Sequence, residues 1–214
     1  MSRITRFFRD LFATKDSDKS EDKKEKKTNF DKLIEVILDF EGGFVDHPDD
    51  RGGATNFGLS LRFMKSTEDY ELFDLTGDGD ITIEDVKKLT REIAIEAYRK
   101  YFWLPLELDE FKTRLALILF DMNVNHGSNR TVRMLQESIN RISDKDITED
   151  GLFGPQTKGA TLDVNQIELC EVLLCRRERF FRQIVANDSS QEVFLNGWIN
   201  HRIDRLRRIS LEYA

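Results

Sequence analysis

A mainly α fold is what this chain predicts, on three observations. Apolar residues return at helical spacing in successive stretches from Phe30 to Leu211. The long Gly-, Asp- and Pro-rich stretch is confined to Gly42–Ser60, so strands are few and short. Hydrophobic residues at 39% against 34% charged give a packed interior under a strongly charged surface. With 214 residues the chain can build one sizeable core, or one core with a small appended lobe. No internal repeat is visible.

Taken in order, Met1 to Ala13 set Ile4, Phe7, Phe8, Leu11 and Phe12 on one helical face and Arg3, Arg6, Arg9 and Asp10 on the other. Such an amphipathic helix suits a membrane surface or a docking partner such as secretion or holin machinery. It suits packing on its own domain equally well. The following KDSDKSEDKKEKKTN nearly excludes apolar residues and cannot repay the entropy of folding, so residues 1–29 read as a helix and a flexible charged linker.

Phe30, Leu33, Ile34, Ile37, Leu38 and Phe40 then form an amphipathic helix with Asn29 or Asp31 near its start and Gly42-Gly43 at its stop, which leaves Glu41 at the helix C-terminus. The stretch to Ser60 reads as loop or short hairpin. Further helices are expected around 59–66, 83–102, 113–125, 130–139, 156–161, 165–186 and 192–211. The two cysteines, Cys170 and Cys175, fall on different faces of one helix and read as unpaired core thiols.

A net charge of −7 argues against a nucleic-acid partner, because phosphate binding needs a basic footprint. No apolar run approaches the roughly 20 residues of a membrane span, and the charged start lacks the apolar core of a signal peptide. The expectation is a monomer made in the cytoplasm.

Glu41 is the residue placed for chemistry. A glycosidase needs one carboxyl that carries a proton to the leaving oxygen, and a carboxylate or positioned water for the oxocarbenium-like centre. With Phe40 before it and Gly42, Gly43 and Phe44 after it, Glu41 reads as a carboxyl among apolar groups at a negative helix end, both of which disfavour its ionised form. A glutamate capped by glycine is also an ordinary helix end.

The full run EGGFVDHPDDRGGATNFGLS, residues 41–60, resembles the signature of the glycosyl hydrolase 108 (N-acetylmuramidase) family. EAYRKYFW around Tyr98, Tyr101 and Trp103, FDMNVNHG around Asn123 to Gly127, DGLFGPQT, and FLNGWINHR from Phe194 to Arg202 resemble later landmarks of the same family. The resemblance covers roughly residues 30–212. It implies a lysozyme-like helical fold that hydrolyses the β-1,4 bond between N-acetylmuramic acid and N-acetylglucosamine in peptidoglycan glycan strands, with Glu41 as acid. By analogy with phage-type lysozymes, Asp49 or Asp50 would stabilise positive charge or orient water and Thr55 would help hold that water, with Asp46 a third candidate. These aspartates also suit caps in a Gly-rich loop, Thr55 and Asn56 suit buried loop amides, and His47 suits a solvated loop.

Asp74, Thr76, Asp78, Asp80 and Asp85 stand at the ligand positions of an EF-hand-like loop, with Gly79 at its sharp turn. Asp85 replaces the usual final glutamate. The expectation is a structural Ca2+ site; the alternative is an Asp/Gly turn with a capped helix and no metal.

Aromatic rings stack on sugar faces and amides read acetamido groups, which makes Tyr98, Asn56, Asn123, Asn125 and His126 candidate substrate contacts alongside Tyr101 and Trp103. Core packing and helix caps use the same residues. DGLFGPQT reads as a turn into a helix, as in peptidoglycan-binding modules or in any Gly-Pro turn. Trp198 reads as an anchor for the last helix, and the basic RIDRLRR as a solvated face or an attractor for anionic wall polymer. The expected architecture is a hydrolase domain at 30–140 with an inserted EF-hand-like loop, and a peptidoglycan-binding-like helical lobe at 141–214 packed on it.

Hydrolysis with Glu41 as acid is the leading expectation. A lytic transglycosylase, or a wall-binding or secretion-assisting protein without turnover, would need the same surface. The substrate lies outside the cytoplasmic membrane, so a holin, a secretion system or a virion would deliver the chain. Phage endolysin and bacterial secretion-associated enzyme look alike at this level.

Overall fold

The computed structural model describes residues 28–46 and 53–213. The expected helix and linker at 1–27, together with His47, Asp49 and Asp50, lie outside the described residues.

Helix α1 (Asn29–Glu41) begins at Thr28, whose hydroxyl accepts the Asp31 N–H while the Asp31 carboxylate accepts the Thr28 N–H, a capping box. Asp31 thus has the expected place, and Thr28 rather than Asn29 is the cap. The helix buries Phe30, Leu33, Ile34 and Ile37 and ends at Gly42, whose φ of 74° suits a residue without Cβ. A two-stranded hairpin follows, β1 (Thr55–Asn56) and β2 (Leu59–Ser60), antiparallel with Thr55 opposite Ser60 and Asn56 opposite Leu59. Val45 adds an isolated bridge to the outer side of Thr55, through N–H···O bonds of 2.8 Å in both directions.

Next come α2 (Leu61–Thr67), the unexpected single turn α3 (Tyr70–Phe73), α4 (Ile83–Lys88) and α5 (Arg91–Tyr98). Four residues are too few to show a helical period, which hides α3 from sequence reading. The single helix expected from Ile83 to Phe102 breaks at Leu89, where ψ is 126°, because Thr90 turns its hydroxyl onto the Ile93 N–H and caps a new helix. From Tyr98 the backbone runs on as a π-turn at Arg99–Trp103 and two 3-10 turns, Leu104–Leu106 and Leu108–Glu110.

Helix α6 (Thr113–His126) is buried on every side from Arg114 to Asn123. Around it pack α1, α7 (Ser128–Ile142), α9 (Gln166–Asn187) and α11 (Asp204–Leu211). Phe120 of α6 meets Phe30 and Trp103 at ring distances of 6.0 and 5.2 Å, tying α6 to the start of α1 and to the π-turn. Helices α8 (Pro155–Asp163) and α10 (Glu192–Asn196) complete the chain, with a second π-turn, Gly197–Ile203, leading into α11. One apolar cluster runs from Phe30 to Leu206, so the C-terminal helices share the core of the rest.

The DGLFGPQT turn is held from inside. Buried Gln136 donates to Asp150 Oδ1, Leu152 O and Thr157 Oγ1, and its Oε1 accepts the Gly151 N–H. Cys170 is buried and Cys175 exposed, both unpaired; only the first is the core thiol expected of both.

Candidate active site

Glu41 sits at the last position of α1 with its side chain 17% exposed. Its Oε1 accepts from Nη2 of Arg202 at 2.6 Å. Among the described residues no hydrogen bond reaches Oε2. Arg202 comes from the second π-turn, 161 residues away, and its Nε donates at 3.1 Å to Asp121 on α6. Asp121 is fully buried and also pairs with Arg177 of α9, itself fully buried, which donates to His126 Nε2 at 2.9 Å and to Asn125 Oδ1 at 3.3 Å. Burial alone would push the Asp121 carboxyl up, but the two guanidinium groups beside it outweigh burial and hold it below the usual carboxylate range. Asp121 and Glu41 in turn keep Arg202 charged above its ordinary value against the opposing effect of burial.

This corrects the expected apolar surroundings of Glu41. Phe44 is 44% exposed, and the neighbour of the carboxylate is a guanidinium. Helix α1 has no basic residue in its own last turn, and the C-terminal segment supplies two. Arg202 and Arg205 lie over the Phe40 ring at 5.4 and 4.6 Å, and Arg205 also pairs with Asp39. Arg202, Asp121 and Arg177 are the site residues that sequence reading missed. Their signal was an aspartate inside LALILFDMN and an arginine in the FLNGWINHR landmark, charges with no local partner in apolar helices.

The hairpin is pressed against the stem of Glu41. Phe57 (φ 49°) and Gly58 (φ 77°) form its two-residue turn, and the Tyr98 hydroxyl donates to the Phe57 carbonyl at 2.8 Å, which steadies the left-handed Phe57. A Cβ on Gly58 would stand 2.5 Å from the Tyr98 hydroxyl and 2.7 Å from Glu41 Cβ. Gly58→Ala is therefore expected to cost about 2–4 kcal/mol, the sum of a left-handed alanine and an overpacked contact, and to displace Glu41. Urea denaturation and residual turnover check it.

Thr55 lies between Val45 and Ser60, and its hydroxyl donates to the Gly53 carbonyl at 3.3 Å. The Val45–Thr55 bridge joins the two sides of the segment that includes Asp46, Asp49 and Asp50 in sequence. Asp46 is exposed, with the Lys87 ammonium in electrostatic reach. Among the described residues, Cβ atoms on Gly42 and Gly43 would meet nothing within 4 Å, so the backbone after Glu41 borders open space there.

The expected substrate contacts are mostly interior. Tyr98 is fully buried under the hairpin. Asn56 is buried and donates to the Val86 carbonyl at 3.0 Å, tying the hairpin to α4, while buried Asn123 donates to the Phe102 carbonyl at 2.7 Å. These three fasten the frame, each bonded to a backbone carbonyl. His126 is half-buried against Phe180 and Phe181 and accepts from Arg177; Asn125 is exposed but also held by Arg177. Tyr101 donates to Asp69, and Trp103 is buried with its indole N–H on Asp109.

Burial, with Arg177 beside it, pulls the His126 imidazole down to about 3. A histidine depressed in the folded state stabilises fully above its unfolded value of 6.5, and that stability drains away as pH falls toward 3. Between pH 6.5 and about pH 4 the protein is expected to lose roughly 3 kcal/mol more than His126→Gln does. Urea melts at the two pH values measure the difference.

The expected calcium ligands are turned onto the backbone. Asp74 accepts the N–H groups of Gly77, Asp78 and Gly79, and Asp85 accepts those of Thr76 and Thr82 while completing the capping box of α4. Asp78 and Asp80 accept N–H groups at Asp80 and Ile81, and Thr76 donates its hydroxyl to Asp74. Among the described residues no group of three or more such side chains converges to hold a metal ion. Five N–H groups thus bond the two inner carboxylates and order the loop.

A cleft of about 540 Å³ is a charged groove between α7 and α9 lined by Glu137, Arg141, Glu171, Cys175 and Arg176. Glu41 is not among its walls, and the ion pair of Arg176 with Glu137 spans it. An acid at a helix end beside an open backbone is the better chemical candidate.

Residues 34–127 match the family model of glycosyl hydrolase 108, and residues 130–203 that of the predicted peptidoglycan domain. The solved structure of SagA from Brucella abortus is similar with a TM-score of 0.69 and 26% identity, over 86% of this chain and 94% of that one. No curated protein matches the chain. The two family matches meet at 127–130, at the junction of α6 and α7, upstream of the boundary at 140 that the sequence suggested. The fold is the lysozyme-like, mainly α one that the signature implied, and residues 34–127 belong to the glycosyl hydrolase 108 family, followed at 130–203 by a predicted peptidoglycan domain.

Proposed function

We propose that this glycoside hydrolase is an N-acetylmuramidase that cleaves the β-1,4 bond between N-acetylmuramic acid and N-acetylglucosamine, with Glu41 as general acid. The observation that carries the reading is the lopsided setting of Glu41. One carboxyl oxygen is held by Arg202, and the other takes no hydrogen bond among the described residues, beside the open backbone of Gly42 and Gly43. In this reading the proton on Oε2 passes to the glycosidic oxygen as the bond from the anomeric carbon breaks. Water adds to that carbon and gives its proton to a carboxylate of the loop between Val45 and Thr55, which bears Asp46, Asp49 and Asp50. Thr55, in β1 beside Val45, would help hold the water.

The predicted peptidoglycan domain supports the wall as substrate, and delivery there by a holin, a secretion system or a virion completes the reading. Among the described residues no helix is long and apolar enough to cross a membrane. Borohydride reduction of a peptidoglycan digest, followed by mass spectrometry, tests the chemistry. Muramitol ends are expected. Anhydromuramic ends would replace hydrolysis by transglycosylation, and intact glycan would leave only a binder.

A further inference from the structure

We infer that Arg202 is a positioning residue for Glu41, and that the region matching the predicted peptidoglycan domain completes the catalytic site of the hydrolase region. The inference rests on Glu41 being the acid. Glu41 lies in the match at 34–127, and the guanidinium that grips it lies in the match at 130–203. Arg202 is not a loose surface cation. Its Nε is fixed on Asp121, its plane lies over Phe40, and Asp121 is fixed by Arg177 from the same C-terminal region. Arg177, Arg202 and Asp121 thus form a buried scaffold between α6, α9 and the second π-turn, and Glu41 is the only carboxylate at its outer end among the described residues.

The arrangement has a chemical use. A carboxyl at a helix end, next to two glycines, would otherwise sample several rotamers. Anchoring Oε1 selects one rotamer and presents Oε2, the oxygen that would carry the transferable proton. The anchor binds no sugar in this scheme, so its loss should lower kcat and spare KM. Misplacing a reacting group by about 1 Å costs on the order of 10²-fold.

The test compares Arg202→Ala, Arg202→Lys and Glu41→Gln in the full chain on soluble glycan strands, with thermal melts and co-sedimentation on insoluble peptidoglycan. We expect Arg202→Ala to lose about 10²-fold in kcat with KM within about threefold and wall binding retained. Lysine should recover part of the loss, and millimolar guanidinium should restore turnover to Arg202→Ala. Should Arg202→Ala melt too low to assay, the Arg202→Lys kcat against KM carries the test. Full turnover in a folded Arg202→Ala, or a loss confined to KM, overturns the inference while an inactive Glu41→Gln leaves the acid assignment standing. An active Glu41→Gln overturns both.

Discussion

Glu41→Gln is expected to lower turnover of peptidoglycan by about 10³-fold while changing stability by no more than about 1 kcal/mol. The substitution keeps the shape of the side chain and an oxygen for Arg202 to hold, so the grip on the end of α1 survives. What disappears is the transferable proton. A general acid contributes about 10²–10⁴-fold, and the leaving sugar oxygen is too basic to depart easily without one. Reducing-end release at saturating substrate, with a thermal melt on the same sample, separates lost chemistry from lost fold.

Asp121→Ala is expected to be the most damaging change to the fold, at about 3–5 kcal/mol. Asp121 and Arg177 are both fully buried, so removing the carboxylate strands a guanidinium in the interior and loosens Arg202 as well. In a chain of this size the loss corresponds to a fall in Tm of about 10 °C. The sign of the pH effect follows from the depressed carboxyl: the stability it supplies is complete above the unfolded value of 3.8 and is lost as pH falls below it. Urea melts from neutral pH down to about pH 3 should show wild type approaching Asp121→Ala only at the acid end.

The features legible from the sequence were those that depend on local spacing. The Phe30–Phe40 periodicity and the glycine pair placed Glu41 at a helix end, where it is found. The 42–60 stretch read as loop or short hairpin contains a hairpin, whose turn has Gly58 at one left-handed position and Phe57, held by the Tyr98 hydroxyl, at the other. Partners that meet across long separations were not legible. Nothing near Glu41 in the chain announces Arg202, and nothing near Asp121 announces Arg177, since the helices that bring them together are set by packing.

Residue type does not decide the role where one side chain serves two uses. Tyr98, Asn56 and Asn123 have the groups that sugars need, but a buried hydroxyl or amide must find a partner, and each is bonded to a backbone carbonyl of the frame. The loop at Asp74–Asp85 has the spacing of a cation loop, and its inner carboxylates also order the backbone by accepting its N–H groups.

The most direct test of the account is the muropeptide profile produced by wild type and Glu41→Gln at equal folded concentration. Borohydride-reduced products of the wild type should end in muramitol, and Glu41→Gln should yield them at about a thousandth of the rate while still sedimenting with the wall. Muramitol released at comparable rates by both proteins, or wild-type products ending in glucosaminitol, would contradict it.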